Sequence, residues 1–500
     1  MTAPTDVTFV SGTTITSNWL NGVNDHVNEL ETFVHTSDKI EFTPAGAGAV
    51  NRGVQSKLRE SVSVMDFGAV GDGVTDDTVN IQAAIDSGVS KIFGVPGEIY
   101  KISSQLLINI NNVEIDFQHA QLLLDDATGL KNHIKLGDGV TQRTGIRLKN
   151  IAFARQQVAT AGYAIDSDFI GVVDITGCRI YGNNKIYNGI KIRRGIIVNI
   201  KDNYIDNCLN LGIYLEGTDA TTNRTIDVSI LENRIEGGIS ALSTWDFVEG
   251  VFCHDNIFFN TSSAAVTCSA SSNVNGLSSF KFKDNDFDTA AAGLFVNNIS
   301  NIQVNNNWFS AITGIGADFG ANVVATVIAG NQMYPTSHGI RYAGLDARIN
   351  ANIISGGDAC VYLRSTASRC SVVGNTLQSA AYGVNMAEGA TNCHIAGNHI
   401  YSMSSGIISG ETVGAGNTVQ SNKGDSIVGA SSFITVGASP FTYTAGVRTE
   451  YVSVFSGTVS NLQLGASSFG FGTNRSIVLA PGQSVTVTYS SAPTMLKNVL

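Results

Sequence analysis

The sequence of 500 residues is 43% hydrophobic and only 14% charged, a balance that can bury a large core. Its formal net charge of −11 argues against nucleic acid as the main partner. No apolar run approaches the roughly 18 residues that cross a membrane, and the first residues lack the charged and apolar parts of a signal segment. Membrane insertion is therefore not predicted.

The amino-terminal region, residues 1–60, begins with polar sequence and contains one helical pattern at 16–34. Its apolar positions step by 3, 4, 3 and 4 residues at Leu20, Val23, Val27, Leu30 and Val34. This spacing predicts the seam of a short coiled coil, although about two to three heptads cannot hold an assembly alone. The alternative is a single amphipathic helix that packs on its own domain.

A second helix is predicted at about 75–86, after a strand at 64–67 and a glycine loop. Thr75, Asp76 and Asp77 supply an N-cap and first-turn acids for this helix. Its apolar face comprises Ile81, Ala84 and Ile85. We expect the helix to cover the open end of the fold that follows it, since an uncovered sheet edge pairs with other chains.

Between Ile151 and Asn417 a short hydrophobic pattern recurs eleven times and ends in a turn residue, usually Asn. From Asn203 to Asn398 the copies are 21 to 30 residues apart, a period typical of one solenoid turn per repeat. Each copy alternates apolar and polar residues with a period of two, which indicates β-strands. The sequence therefore predicts a parallel β-helix over 61–424, with coils stacked about 4.8 Å apart.

A second pattern in each coil places Gly before an inward aliphatic residue, as in L-G-I-Y-L at 211–215. Gly is expected to form a tight corner, and Asn to bond locally and tolerate unusual backbone angles. The seven cysteines have no metal-ligand spacing, and Cys253, Cys370 and Cys393 fall on inward positions. Buried thiols are predicted, with no metal site, no cofactor and folding in a reducing cytoplasm.

Residues 425–500 lose the coil pattern and alternate apolar and polar residues in short stretches. Turn residues separate these stretches, as in A-P-G-Q at 480–483. This arrangement predicts a small antiparallel β-sandwich.

Two stretches resemble known families. D-F-G-A-V-G-D-G-V-T-D-D-T at 66–78, with I-Q-A-A-I-D at 81–86, resembles the opening motif of the pectate-lyase-like superfamily. The preceding A-V-N-R-G-V-Q-S-K-L-R-E-S-V-S-V is similar to the junction of tailspike and tail-fibre proteins of tailed bacteriophages. In that family the opening motif is structural, so Asp72, Asp76 and Asp77 are not expected to act in catalysis.

The resemblance implies an all-β fold with a right-handed parallel β-helix, assembled as a homotrimer. It also implies a place in the virion tail after assembly in the host cytoplasm, with residues 1–60 docked on other tail or baseplate proteins. The carboxy-terminal module would serve trimerisation or carbohydrate binding. The implied task is to recognise and depolymerise a bacterial capsule, exopolysaccharide or O-antigen.

Three consecutive coils have long segments after the Gly pattern, at 216–227, 241–250 and 268–279, which are predicted to wall a groove. Glycoside hydrolysis needs one carboxylic acid to protonate the leaving oxygen and a second carboxylate to activate water or attack the sugar. The candidate catalytic residues of this groove are Glu216, Asp246, Glu249 and Asp219. The candidate substrate-binding residues are Trp245, Tyr214, Lys191 and Arg193.

An alternative acidic ladder stands at and after the Asn corners, with candidates Glu232, Glu236 and Asp255. Stacked carboxylates repel each other and raise one pKa, as a general acid requires. Basic residues interleave with them, however, and alternating charge is typical of a solvated face.

A glycoside hydrolase is the favoured activity. Three alternatives remain open: a polysaccharide lyase that uses Lys191, Arg193, Tyr214 or His254, a non-catalytic receptor-binding fibre, and a structural shaft. The clustered segments argue against a plain shaft, which has no need of them.

Overall fold

The computed structural model describes residues 18, 20–25, 40–219, 221–272, 278–410, 416–424, 431–468, 470 and 473–499. The chain divides into two units, Met1–Val62 and Ser63–Leu500. Within the described ranges, no helix is both long enough and apolar enough to cross a membrane.

In the first unit, residues 20–25 are helical, and the two heptad positions they contain are exposed. The other three positions of the predicted seam lie outside the described residues, so the coiled coil stays a prediction. Further on, Glu41–Phe42 pairs antiparallel with Arg52–Gly53, and the helix Val54–Leu58 follows directly.

The chain enters the second unit through a short strand, Val62–Ser63, and a 3-10 helix, Val64–Phe67. The predicted strand at 64–67 is therefore wrong. Ser63 and Asp66 form a capping box, in which Met65 N donates to Ser63 Oγ at 3.2 Å and Ser63 N donates to Asp66 Oδ2 at 2.8 Å. These local bonds hold the backbone in a turn.

The capping helix spans Thr78–Asp86 and begins three residues later than predicted, because Asp72–Asp76 is a strand. The buried Asp77 carboxylate accepts the backbone N–H groups of Val70 and Gly71 at 2.7 and 3.0 Å. Asp77 thus fixes the glycine loop and does not act as an acid of the first helical turn.

The predicted apolar face of this helix, Ile81, Ala84 and Ile85, is buried. Gln82 Nε2 donates to the carbonyl oxygen of Leu107 at 2.9 Å, and Leu107 N donates to Gln82 Oε1 at 2.9 Å. The side-chain amide therefore pairs with an outer strand edge in place of a neighbouring strand, as expected of a cap.

Three parallel sheets form a parallel β-helix of about 14 turns. Sheet 1 contains Lys91–Phe93, Val113–Asp116, Ile146–Lys149, Thr225–Leu231, Val248–His254, Ser278–Lys283, Ser300–Asn305, Val324–Ala329, Leu345–Asn350, Ser371–Val373, His394–Ala396 and Thr418–Gln420. Sheet 2 contains Asp72–Asp76, Ile99–Ile102, Gln121–Leu124, Ala152–Arg155, Arg179–Tyr181, Tyr204–Asp206, Arg234–Glu236, Gln332–Pro335, Ile353–Ser355, Thr376–Gln378 and His399–Tyr401.

Sheet 3 contains Leu106–Ile108, Ile134–Leu136, Leu211–Glu216, Ser240–Thr244, His338–Tyr342, Ala359–Leu363, Tyr382–Met386 and Gly406–Ser409. Some long strands belong to two sheets. Tyr163–Thr176 and Asn188–Lys201 run from sheet 3 into sheet 1, whereas Ile257–Ser269, Asp286–Asn297 and Trp308–Phe319 run from sheet 2 into sheet 3.

Alternation along each strand directs every second side chain into the core. In sheet 1, Ile200, Ile230, Cys253 and Phe282 stack in register and are fully buried. A fully buried side chain of this size contributes about 1.5–3 kcal/mol of transfer free energy. The predicted burial of the cysteines is confirmed, since all seven are buried and free.

A ladder of asparagines, buried except at its partly buried last member Asn422, joins the coils at the corner between sheets 1 and 2. Its members are Asn203, Asn233, Asn256, Asn285, Asn307, Asn331, Asn352, Asn375, Asn398 and Asn422. Asn285, for example, donates its Nδ2 group and its backbone N–H to Asn307 Oδ1 at 3.0 and 2.9 Å. Left-handed backbone falls one residue earlier, at Asp284 with φ 54°. The expected local bonds form at Asn256 and Asn307, whose Nδ2 groups donate to the carbonyl oxygens of His254 and Asn305 at 3.0 and 3.1 Å, but the bonds that build the ladder run across coils.

The glycines of the second pattern also differ from expectation. A Cβ atom on Gly293 would lie 2.5 Å from the carbonyl oxygen of Gly316, and one on Gly316 would lie 2.6 Å from that of Gly339. None of these three has positive φ. Glycine is required here because successive coils approach closely, and a tight corner is not the reason.

The described residues after 430 form two four-stranded antiparallel sheets. Their strands are Ser431–Ile434, Phe441–Thr444, Glu450–Phe455, Thr458–Leu464, Ser467–Ser468, Arg475–Leu479, Ser484–Ser491 and Thr494–Val499. Side chains from both sheets, including Val452, Leu462, Val487 and Met495, share one core. The domain boundaries at 60 and 424 and the role of this module stay predictions.

Candidate functional site

The outward face of sheet 3 gathers most of the candidate residues. Leu211–Glu216 buries alternate side chains and points Tyr214 and Glu216 outward, as predicted. The preceding rung pairs Lys191 with Tyr214 and Arg193 with Glu216. Four residues from two coils thus form one patch, named here the Glu216 cluster.

Glu216 lies at the centre of this cluster. Lys191 Nζ lies 3.0 Å from Glu216 Oε1, and Arg193 Nε lies 3.9 Å from the same atom. The Tyr214 hydroxyl donates to Glu216 Oε2 at 3.0 Å. Because the side chains of Lys191 and Glu216 are only 18% and 20% exposed, this pair is screened less than a surface pair.

The structure adds acidic residues and a tyrosine that the sequence reasoning missed. One rung earlier, Asp166 pairs in register with Lys191 and Asp168 with Arg193. The ring centroid of Tyr163 lies 5.5 Å from Lys191 Nζ. The sequence contained the information needed to find Asp166 and Asp168. Continuing the alternating pattern one coil upstream aligns D-S-D at 166–168 with K-I-R at 191–193, which in turn aligns with Y-L-E at 214–216.

The half-buried Asp166 carboxyl has different surroundings from Glu216. Burial raises the pKa of Asp166 above its ordinary value, and the opposing charge of Lys191 does not cancel this effect. Asn132 Nδ2 donates to Asp166 Oδ2 at 3.2 Å. Asp166 therefore keeps its proton to a higher pH than an ordinary aspartate, which a general acid requires.

Both tyrosines of the region stay protonated at neutral pH. Burial raises the pKa of Tyr163 to about 12. Burial, followed by the charge of Glu216, also raises the pKa of Tyr214, and the charge of Asp246 adds a smaller contribution. The two hydroxyls are therefore hydrogen-bond donors and not ready bases.

Two of the three predicted wall segments have described residues outside strands, at 217–219, 221–224 and 270–272. Within them, residues 220 and 273–277 lie outside the described part. Segment 241–250 is mostly strand, because its alternation continues through Ser240–Thr244 and Val248–His254. The prediction of three adjacent insertions is therefore wrong.

The short corner 245–247 nevertheless brings Trp245 and Asp246 to the cluster. Trp245 N donates to the carbonyl oxygen of Leu215 at 3.0 Å, and Gly217 N donates to the carbonyl oxygen of Asp246 at 2.8 Å. Trp245 is 45% exposed and lies on the rung after Glu216, directly beyond the register pair Leu215 and Thr244. The Asp246 carboxylate accepts the N–H of Ser271 at 2.6 Å, which ties the corner to the following coil.

Asp219 and Glu249 have other partners. Asp219 accepts three backbone N–H groups of its own loop, at 2.9, 2.8 and 3.1 Å. The bond from the Asn223 side chain, followed by these backbone bonds, lowers the pKa of Asp219. A carboxyl with a lowered pKa does not hold a proton to donate near neutral pH. Glu249 lies on sheet 1 and pairs with Arg224 at 2.7 Å.

The alternative ladder lies around the corner between sheets 1 and 2. Each candidate has a polar neighbour. Lys201 Nζ lies 3.3 Å from Glu232, and His254 Nδ1 lies 2.7 Å from Asp255. The Tyr204 hydroxyl lies 3.5 Å from Glu236. Glu232 also lines a cleft with Asp202 and Arg234. Paired charges of this kind are typical of a solvated outer face.

No protein-family model matches the chain. A 68-residue stretch is 46% identical to the tail spike protein of an Escherichia phage. That match covers 14% of this chain and only 8% of that protein. Because the match covers so small a part of that longer protein, it does not show that this chain shares its activity.

Solved structures decide the fold. Tailspike protein 3 of bacteriophage CBA120 has a TM-score of 0.62 at 14% identity, over 81% of this chain and 69% of that one. The tailspike protein of E. coli bacteriophage HK620, in complex with a pentasaccharide, has a TM-score of 0.51 at 14% identity, over 95% and 99%. The chain has the parallel β-helix fold of bacteriophage tailspikes. Within this tailspike fold, the Glu216 cluster lies on the outward face of sheet 3, beside loop 217–224.

Proposed function

We propose that this chain is a virion tailspike that binds a bacterial surface polysaccharide and hydrolyses it at the Glu216 cluster. The observation that carries the proposal is a pair of carboxyl groups, Asp166 and Glu216, on either side of Lys191 and in unlike surroundings. Pairs whose environments separate their protonation states mark the acid and the base of a hydrolase. The pentasaccharide bound by one solved tailspike supports the substrate class.

In the proposed mechanism, Asp166 protonates the leaving glycosidic oxygen. Glu216 accepts a hydrogen bond from Tyr214 and contacts Lys191, an arrangement that suits an ionised carboxylate acting as base on a water molecule. Asp166 and Glu216 belong to strands two rungs apart and are offset by two residues along them, since Asp166 pairs with Lys191 and Glu216 with Arg193.

Sugar recognition is assigned to the residues around this pair. Trp245 presents a half-exposed indole next to Glu216, a suitable surface for the apolar face of a sugar ring. Lys191 lies 3.0 Å from Glu216, and Arg193 lies 3.7 Å from Asp168. Their N–H groups can also donate to sugar hydroxyls.

A lyase is the second candidate, because Lys191 and Arg193 are placed to neutralise a uronic carboxylate. Lyases need a base to remove the proton next to that carboxylate, and the raised pKa of Tyr214 makes it a poor base. The hydrolase is favoured on this ground.

The first experiment is incubation of purified protein with a panel of capsule, exopolysaccharide and O-antigen preparations. New reducing ends without the ultraviolet absorbance of an unsaturated uronic product support the hydrolase. Reducing ends that rise together with this absorbance would make the protein a lyase. Binding without new ends would leave a receptor-binding fibre.

We also propose that the protein is a homotrimer that docks on other tail or baseplate proteins through residues 1–60. Light scattering of the purified chain tests the trimer. Normal incorporation into virions of a chain that lacks residues 1–60 would refute the docking role.

A further inference from the structure

A cleft of about 210 Å³ opens on the outward face of sheet 1, on a different sheet from the Glu216 cluster. Three consecutive rungs line it in two columns. One column is Phe252, Lys281 and Gln303, and the other is His254, Lys283 and Asn305. Six outward side chains of distinct chemistry thus converge on one cleft.

Lys281 is the cation of this cleft that has no carboxylate partner among the described residues. Lys283 Nζ lies 2.9 Å from Asp284 Oδ2, and His254 Nδ1 lies 2.7 Å from Asp255 Oδ2. Lys281 Nζ lies 4.3 Å from the ring centroid of Phe252 instead. An ammonium group without a neutralising partner attracts an anionic group into the cleft.

Two further features indicate that the ligand is more than a simple anion. Gln303 is exposed and lines the cleft, so its amide can donate to and accept from sugar hydroxyls. Phe252 is 45% exposed although its ring is large and apolar, and it offers a contact surface for sugar C–H groups.

We infer that this cleft is a second carbohydrate site, which takes a sugar residue bearing an anionic group, either a carboxylate or a phosphate. Lys281 binds the anionic group, Gln303 bonds a hydroxyl, and Phe252 contacts the ring. The inference rests on the proposed function only in that the natural ligand is a glycan. Because the two sites lie on different sheets, each is tested without the other.

The experiment is saturation-transfer difference NMR of the full-length chain with glucuronate, glucose 6-phosphate or glucose. Signal from glucuronate or glucose 6-phosphate, and none from glucose, is the expected result, and the stronger of the two identifies the anionic group. Lys281→Gln should weaken binding about tenfold or more, whereas Lys281→Arg should retain it. Lys91→Gln, at an exposed lysine on the sheet 1 strand Lys91–Phe93, is the matched control and should bind normally.

Three results would overturn the inference. They are equal binding of glucose, no binding of either anionic sugar, and binding that survives Lys281→Gln but is lost in Lys191→Gln, which would place the sugar on sheet 3. Cleavage of polysaccharide by Lys281→Gln at the parent rate is expected, since Lys281 is not part of the proposed catalytic machinery. A parent protein that binds glucuronate but cleaves nothing would sink the hydrolase and leave this site standing.

Discussion

Lys191 Nζ lies 3.0 Å from Glu216 Oε1, across two adjacent rungs of sheet 3. The same lysine pairs in register with Asp166 on the other side. One ammonium group therefore stands between a carboxylate that it contacts directly and a carboxyl whose pKa burial raises. This relationship separates the proposed roles of the two acids.

Glu216→Gln should reduce kcat by about 100-fold or more, because the proposed base supplies about 10²–10⁴-fold of the rate. The amide keeps the shape of the side chain, so polysaccharide binding should persist. Reducing-end release and a binding isotherm on the same substrate measure both effects. Glu232→Gln, in the alternative acidic ladder, is the matched control. A larger loss of rate in the control would move the active site to the corner between sheets 1 and 2.

Asp166→Asn should remove the alkaline limb of the kcat profile as well as most of the rate. A general acid works only while protonated, so the parent rate should fall as pH rises through the raised pKa of Asp166. A substrate with an activated leaving group, which needs no protonation, should restore part of the variant's rate. An unchanged pH profile would remove Asp166 from the mechanism.

The stability of Asp166→Asn provides a separate readout. The folded state binds the Asp166 proton more tightly than the unfolded chain, so this residue costs stability as pH rises from the ordinary pKa through the raised one. At neutral pH the variant should therefore be at least as stable as the parent in thermal unfolding. A lower Tm would mean that lost activity reflects a damaged fold.

Trp245→Ala should raise KM for polysaccharide while kcat changes little, because the indole is proposed to bind sugar and not to touch the reacting atoms. The expected loss in affinity is about 1–2 kcal/mol, or roughly 5- to 30-fold. Trp308→Ala is the matched control, since Trp308 is 40% exposed but lies on sheet 2. Equal effects of the two substitutions would show that Trp245 has no special role.

Asn285→Ala should destabilise the β-helix by about 3 kcal/mol, because it leaves buried partners of the ladder unpaired. Asn285 Nδ2 donates to the carbonyl oxygen of Cys253 at 2.9 Å as well as to Asn307. The free energy of unfolding in urea measures the loss. Asn350→Ala, at an exposed position of sheet 1, should cost less than about 0.5 kcal/mol. Similar costs at both positions would contradict the ladder's role.

The sequence predicted the β-helix because its period-two alternation and its 21- to 30-residue repeat are local properties. The outward direction of Tyr214 and Glu216 followed from the same alternation, and so did their alignment with Lys191 and Arg193. The wall at 241–250 was predicted wrongly, since a loop and a strand of similar polarity look alike until the next coil pairs with them. Asp166 was missed because its importance comes from burial, which sequence alone does not provide.

The sequence by itself therefore determined the repeat, the strands and the side of each strand that faces the core, since each depends on alternation within one coil. Only the tertiary structure decided which coils bring their outward residues together. It set the burial that raises the pKa of Asp166, and it joined the Asn side chains into a ladder between coils. These properties depend on distances between segments more than 20 residues apart, which are fixed only when the coils stack.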